Sequence, residues 1–168
     1  MASTSSFDVT TGVDMMEVNN AVDQTQKEIA QRYDFKGLDV KVEMNEKEKT
    51  LTISAPDEYK ATAVWDVLQS KMVKRKVPLK NLKLGKVEMA AGASVRQTIE
   101  LIAGLDSDQC REVVRVLKDA KLRKVQSAIQ GDTVRISSPS KDDLQGAMAL
   151  LRGHDFGVEI KFGNFRTN

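Results

Sequence analysis

The sequence predicts an α+β protein with two ferredoxin-like domains, each a four-stranded antiparallel sheet with two helices on one face. Residues 94–163 alternate as strand, helix, strand, strand, helix and strand, which is the order of a split βαβ unit. Residues 6–74 repeat the first five of these elements, and a strand near residues 82–89 completes the set. We therefore place the first domain at residues 1–90 and the second at residues 91–168.

Four helices are predicted from the residues at their amino-terminal ends. Asp106 and Gln109 have the spacing of a capping box, in which each side chain hydrogen-bonds to the backbone of the other residue. Asp14 and Glu17 have the same spacing. Behind each start, apolar residues recur every three or four positions and predict one buried helix face. The four expected starts are Asp14, Pro56, Asp106 and Ser140.

Alternating apolar and polar residues predict the strands. At residues 130–132 the sequence Gln-Gly-Asp is typical of a tight turn and joins two strands into a hairpin. In this hairpin Val134 and Ile136 should face the core, which turns Arg135 toward the open face of the sheet. The other open-face positions predicted on the hairpins are Thr133, Ser137, Thr50, Thr52 and Ser54. The first strand, residues 6–9, can pair either within its own domain or with the sheet of the other domain.

The composition argues against several classes of protein. The chain has 168 residues and a net charge of +2, from 26 basic and 24 acidic side chains, which gives no bulk electrostatic signal for nucleic acid. One cysteine cannot form an intrachain disulfide, which suits a reducing compartment. No apolar run approaches the roughly 20 residues that span a membrane, and the amino terminus lacks the pattern of a signal peptide. We therefore expect a cytoplasmic protein without a membrane partner.

The chain offers no set of residues suited to catalysis, to a cofactor or to a metal. One histidine, His154, and one cysteine, Cys110, are too few for a zinc-type site. His154 follows a helix end and is expected at the surface, whereas Cys110 is expected in the core. The neighbouring carboxylates Asp142 and Asp143 fit the first turn of a helix, where they favour the helix dipole. We therefore predict a binding protein and not an enzyme.

A cation-rich stretch, residues 71–92, is expected to link the two domains. Up to residue 86 it contains no acidic side chain. Two interpretations remain open: a solvated helix end, where cations are favourable, or an anion-binding linker that holds RNA. Stacking of RNA bases on the sheet, as in RNP-like domains, is not expected because the open-face positions of the hairpins carry no aromatic residue. The cations are Lys71, Lys74, Arg75, Lys76, Lys80, Lys83 and Lys86.

Several stretches resemble the YajQ family of bacterial nucleotide-binding proteins. They are SFDV (6–9), EVNNAVDQTQKEIAQRYDFKG (17–37), LKDAKL (117–122), IQGDTVRISS (129–138), KDDLQ (141–145) and FGNFR (162–166). The resemblance implies two ferredoxin-like domains and a cytosolic, non-enzymatic protein. It also implies nucleotide binding, and some members are described as effectors of cyclic di-GMP or are linked to RNA.

Cyclic di-GMP presents two phosphates and two guanine edges. Arg and Lys suit the phosphates, carboxylates suit the guanine amino edge, and a flat side chain suits stacking. Trp65 is expected in the core, while Asp8 and Asp34 can also cap turns. The nucleotide-binding candidates in the matching stretches are Arg32, Asp34, Lys36, Asp132, Arg135, Lys141 and Arg166.

These candidates lead to one prediction and one alternative. The prediction is a signalling effector that binds a guanine nucleotide, cyclic di-GMP, with RNA or a transcription regulator as a further partner. The alternative is an RNA-binding or ribosome-associated module that uses the cation-rich stretch. The two differ in salt dependence, because contacts to many RNA phosphates weaken steeply as salt rises.

Overall fold

The computed structural model describes residues 3–168. The chain divides into two compact units, and each has a four-stranded antiparallel sheet with two helices. The composite unit contains the residues up to Gly12 together with Gly104–Asn168. The inserted unit contains Val13–Ala103. This confirms the predicted fold class of two ferredoxin-like domains.

The elements follow one another in a simple order along the chain. The helices are α1 (Met15–Gln31), α2 (Glu58–Lys74), α3 (Ser107–Asp119) and α4 (Lys141–Arg152). The strands are β1 (Ser5–Thr11), β2 (Lys41–Asn45), β3 (Thr50–Ala55), β4 (Leu82–Met89), β5 (Val95–Leu101), β6 (Gln126–Gln130), β7 (Thr133–Ser138) and β8 (Ile160–Thr167). Among residues 3–168, no helix has the length and apolar character that a membrane crossing requires.

The composite unit reads β1, α3, β6, β7, α4 and β8 along the chain, and its strands lie in the order β6-β7-β1-β8. This is the ferredoxin-like arrangement, in which the first and third strands are central. Phe7 and Val9 on β1, with Val134 and Ile136 on β7, are each 0% exposed and pack toward α3 and α4. The alternation that buries them places Arg135 on the open face, as predicted.

The inserted unit reads α1, β2, β3, α2, β4 and β5, and its strands lie in the order β2-β3-β5-β4. The strand order of this sheet matches that of the composite sheet if β5 is taken as the counterpart of β1. The core includes Leu51, Ile53 and Ile99 from the sheet with Leu68 and Met72 from α2. Trp65 is half-buried against this core.

The boundary expected near residue 90 does not describe these units. The linear order of elements placed β1 in the amino-terminal domain, with pairing to the other sheet left open, and it placed β5 in the carboxy-terminal domain. In the structure β1 pairs with β7 and β8, while β5 pairs with β3 and β4. Each of these strands precedes a helix that packs in the other unit, so chain order alone misassigns both. The stretch 71–92 is therefore the end of α2, β4 and the turns around them, and not a linker between domains.

Side-chain caps lie at three of the predicted helix starts and one residue beyond the fourth. At α3 the capping box is complete: Gln109 N donates to Asp106 Oδ1 at 2.7 Å, and Asp106 N donates to Gln109 Oε1 at 3.0 Å. Asp14 caps α1 by accepting from Met16 N at 3.0 Å, but the predicted return bond is wrong, because Glu17 accepts from Asn20 instead. Ser140 caps α4 and Asp57, the residue after Pro56, caps α2.

Two glycine substitutions should move stability in opposite directions. A Cβ at Gly85, on the irregular part of β4, would lie 2.7 Å from the backbone oxygen of Thr98. We expect Gly85→Ala to lower the free energy of unfolding by about 1–3 kcal/mol through this overlap. Gly146 lies inside α4, and a methyl group added there would meet nothing within 4 Å. Gly146→Ala should raise the free energy of unfolding by about 0.5–1 kcal/mol through helix propensity.

Urea unfolding followed by circular dichroism measures both changes on the same chain. A gain in stability for Gly85→Ala would contradict the close backbone approach of β4 and β5.

Candidate functional site

The open face of the composite sheet carries a charged pair at its centre. Asp8 on β1 lies opposite Arg135 on β7 and opposite Gly163 on β8. Ala128 on β6 lies opposite Arg135, so one row crosses the sheet as Ala128, Arg135, Asp8 and Gly163. The two ends of this row carry no bulky side chain. Within this row, therefore, no large side chain stands beside the charged pair.

A chain of hydrogen bonds extends the pair to a second arginine. Arg135 Nε donates to Asp8 Oδ1 at 3.0 Å, and Asn164 Nδ2 donates to Asp8 Oδ2 at 2.7 Å. Arg166 Nε donates to Asn164 Oδ1 at 3.2 Å. Asn164 reaches Asp8 because β8 bulges here, and its φ of 53° is one that Asn tolerates better than most residues. We call Asp8, Arg135, Asn164 and Arg166 the open-face network.

The electrostatics of the network favour the charged form of both partners. The hydrogen bond from Arg135 is the main cause that lowers the pKa of Asp8, helped by Asn164 and opposed by burial. Asp8 raises the pKa of Arg135 in return. Within residues 3–168, Arg135 and Arg166 each donate through Nε alone. Both terminal nitrogens of each guanidinium are therefore available to a ligand.

A shallow depression of about 170 Å³ lies at the end of β8, on the side of the sheet that α4 covers, and it shares Arg166 with the network. Phe165 and Arg166 of β8 line it together with Lys141, Leu144 and Met148 of α4. Phe165 is 63% exposed, so its ring offers a flat apolar surface. Arg166 belongs to both the network and the depression, and Lys141 brings a further cation to the same rim.

Asp132 has a local structural role in the hairpin turn. Its backbone oxygen accepts from Leu105 N at 3.2 Å, and its carboxylate accepts from the Thr133 hydroxyl at 3.3 Å. Its side chain also occupies the space that a Cβ on Gly104 would need. Of the four candidates in the composite unit, Arg135 and Arg166 belong to the open-face network, and Lys141 lines the depression beside Arg166. The fourth, Asp132, lies apart from them at the hairpin turn.

The other three candidates lie in the inserted unit, in the turn that follows α1. Arg32 binds Asp34 through two hydrogen bonds, of 3.0 Å from Nε and 2.8 Å from Nη2, and this pair lowers the pKa of Asp34. Arg32 also lies 5.1 Å from the ring centre of buried Phe35, and Lys60 Nζ donates to Asp34 O at 2.7 Å. Lys36 is exposed. These side chains mainly hold the turn together.

Two cations of the predicted cation-rich stretch are tied to α1. Lys71 Nζ lies 2.9 Å from Glu28, and Arg75 lies 3.7 Å from Glu17. These pairs join the two helices of the inserted unit. The other cations of the stretch, Lys74, Lys76, Lys80, Lys83 and Lys86, are exposed. The last two lie on the edge strand β4, where lysine discourages pairing with another strand.

Cys110 is buried in the core, and His154 is paired with a carboxylate. Cys110 is 0% exposed, as predicted, and burial raises the pKa of its thiol. His154 is half-buried, where a surface position was expected, because its Nε2 lies 2.9 Å from Glu112 and its ring packs on Phe156. Among residues 3–168 no cluster of His, Cys, Asp and Glu is arranged to hold a metal ion.

The sequence interpretation missed three residues of this site. Asp8 was not among the candidates and was given a possible role as a turn cap, but it lies in the middle of a central strand. Its alternation with Phe7 and Val9 was a usable signal for the open face. Asn164 and Phe165 gave no such signal, because the bulge in β8 shifts the alternation at these residues and is not visible in the sequence pattern.

Comparison with known proteins identifies relatives over nearly the full chain. A family model described as "Nucleotide-binding protein YajQ-like" matches residues 5–166. A protein from Solibacter usitatus, named "Nucleotide-binding protein", is 48% identical over 163 residues, which cover 97% of this chain and 98% of the relative. Proteins of the same name from Carboxydothermus hydrogenoformans and Acidithiobacillus ferrooxidans are 48% and 50% identical; the matches cover 99% and 96% of this chain, and 100% and 98% of the relatives.

The lowered pKa of Asp8 makes its contribution to stability dependent on pH. A carboxyl group whose pKa is lower in the folded than in the unfolded state stabilises the fold above the unfolded value, about 3.9, and loses this effect as pH falls through the folded value. We therefore expect Asp8→Asn to be less stable than the unmodified protein at pH 7. The difference should shrink at pH values below about 4.

Urea unfolding at several pH values tests this expectation. Asp108→Asn is the control, because that carboxylate is exposed in a surface pair with Arg111. A deficit of Asp8→Asn that stays constant down to pH 2–3, below the reference value of about 3.9, would contradict the ion pair as its cause.

Proposed function

Since the chain belongs to the family of YajQ-like nucleotide-binding proteins, we propose that it binds a guanine nucleotide, cyclic di-GMP, and acts as a non-enzymatic cytoplasmic signalling effector. The binding surface is the open-face network together with the depression at the end of β8. The observation that carries this proposal is the position of Arg166, which connects an oriented pair of arginines to an exposed aromatic ring.

The two arginines suit the two phosphates of the ligand. A guanidinium binds a phosphate best through two parallel N–H groups, and this geometry needs an arginine whose rotation is fixed. Asp8 and Asn164 fix both arginines through Nε and leave the terminal nitrogens facing outward. Asp8 is the single carboxylate within the network, so the network keeps a net charge of +1 toward an anion.

The depression suits a guanine base beside the phosphates. Phe165 supplies a face for stacking, which contributes about 1–3 kcal/mol per base in comparable sites. Lys141 lies on the same rim and can reach a phosphate. A base stacked on Phe165 lies on the α4 side of β8, so the ligand passes the edge of β8 at Arg166 to reach Arg135 on the open face.

A binding role without catalysis agrees with the chemistry of the remaining side chains. A thiol with a raised pKa is a poor nucleophile, and Cys110 is sealed in the core. His154 is engaged with Glu112 on α3. A signalling role then requires a second partner, and RNA or a transcription regulator remains our prediction for it.

Isothermal titration calorimetry with cyclic di-GMP tests the proposal, with guanosine triphosphate and a short single-stranded RNA as comparison ligands. We expect saturable binding that weakens at least about tenfold in Arg166→Ala and in Arg135→Ala, as charged hydrogen bonds are lost. Phe165→Ala should weaken binding by a similar factor through lost stacking. Arg135→Lys should weaken binding by an intermediate factor. Lysine keeps the positive charge but lacks the planar guanidinium that donates two parallel hydrogen bonds.

The matched control is Arg96→Ala, which removes an arginine from the open face of the other sheet. Thermal unfolding of each variant separates lost binding from lost folding. Equal losses in Arg96→Ala and Arg166→Ala would place the site elsewhere. Salt-sensitive binding of RNA alone, lost when Lys74, Lys76 and Lys83 are neutralised, would favour the alternative instead.

A further inference from the structure

The four edge strands of the two sheets differ in how they are protected. An exposed edge strand can pair with a foreign strand, and charged side chains or a bulge normally prevent this. The edge strand β2 carries Lys41 and Glu43, while β4 and β8 each carry lysine or arginine and an irregular register. The fourth edge, β6, has the sequence QSAIQ, without a charge, a proline or a bulge. Among the four edge strands, β6 is therefore the one without these protective features.

The outer side of β6 is open and partly apolar. Along β6, Gln126, Ala128, Ile129 and Gln130 are exposed, and Ile129 is 47% exposed. A groove of about 740 Å³ runs between the end of α3 and the start of β6. Its apolar lining is Leu117, Leu122 and Val125. An added strand could therefore pair with the backbone of β6 and place alternate side chains on this apolar lining.

The same groove is rich in cations. Lys118, Lys121 and Arg123 line it, and Lys124 follows in the chain. None of these four forms an ion pair within residues 3–168, whereas Arg111 and Arg115 earlier on α3 are paired with Asp108, Glu112 and Asp119. Lys118 in the last helical turn favours the helix dipole, but Arg123 and Lys124 lie beyond the helix. The charges of Arg123 and Lys124 therefore do not stabilise the helix.

We propose that β6 and this groove form a docking site for an extended acidic segment of a partner protein, which adds to the sheet as a fifth strand. The bare edge supplies backbone hydrogen bonds, the groove takes apolar side chains, and the four cations select acidic residues. A second copy of this chain fits poorly, because its β6 would bring the same four cations against these. This proposal does not depend on the nucleotide or on the open-face network.

Fluorescence anisotropy with the full chain tests the site. The probe is a labelled peptide of about eight residues that alternates valine and glutamate, matched to the length of a typical strand. A valine–lysine peptide and a short single-stranded oligonucleotide serve as comparisons. We expect the acidic peptide to bind and the basic peptide not to bind. Replacing Lys118, Lys121 and Arg123 by glutamine should weaken binding of the acidic peptide about tenfold, since three exposed charge pairs with the peptide are lost.

The matched control replaces Lys27, Lys47 and Lys74 by glutamine, which removes the same charge from exposed positions of the inserted unit that lie on no edge strand. This control should bind the peptide as the unmodified chain does. Equal weakening of peptide binding in both triple variants would overturn the proposal, because the weakening would then follow from the net charge of the chain and not from the groove.

Ile129→Lys separates strand addition from simple anion attraction. It adds a cation but places on β6 the kind of side chain that protects the other edges. We expect weaker peptide binding, together with slower amide exchange within residues 126–130 when the peptide binds the unmodified chain. Tighter binding in Ile129→Lys, unchanged amide exchange, or binding of the oligonucleotide in place of the peptide would each overturn the proposal.

Discussion

The antiparallel pairing of β1 with both β7 and β8 is the constraint on which the composite unit depends. Through this register, β1 contributes Phe7 and Val9 to the core and turns Asp8 to the opposite face. A slip of one residue would bury the carboxylate and expose both apolar side chains, so the core enforces the register. The same register sets Asp8 beside Arg135. The charged pair of the open face is thus a consequence of core packing and not of a separate loop.

One carboxylate organises two guanidinium groups in this arrangement. Arg135 and Arg166 repel each other, and a second carboxylate between them would cancel the charge that an anion needs. Asn164 avoids this by accepting a hydrogen bond from Arg166 while donating one to Asp8. Arg166 is thereby oriented without a further negative charge. The bulge in β8 is what makes room for it. Backbone irregularity and electrostatics therefore contribute to the same property of the surface.

Local signals in the sequence were sufficient for most elements, because their physics is local. The capping box of Asp106 and Gln109 and the turn at Gly131, with a φ of 65°, involve residues that are neighbours in the chain. The partition of β1 and β5 between the sheets is different, since it is decided by strand pairing across long separations. The contact between Glu112 and His154 is non-local in the same way. Alternation alone placed Arg135 on the open face, but its partner Asp8 lies 127 positions away.

Charge along the sequence is a poor guide to charge that is available to a ligand. The stretch 71–86 has the highest density of cations, yet Lys71 and Arg75 bind acids that α1 brings from more than forty residues away. The smaller group of cations around α3 has the acids Glu112 and Asp119 within the same stretch of sequence. In the structure those acids bind Arg115, and the cations that follow the helix keep no acidic partner among residues 3–168. Pairing in space, which depends on which helix faces lie together, decides which cations can attract a partner.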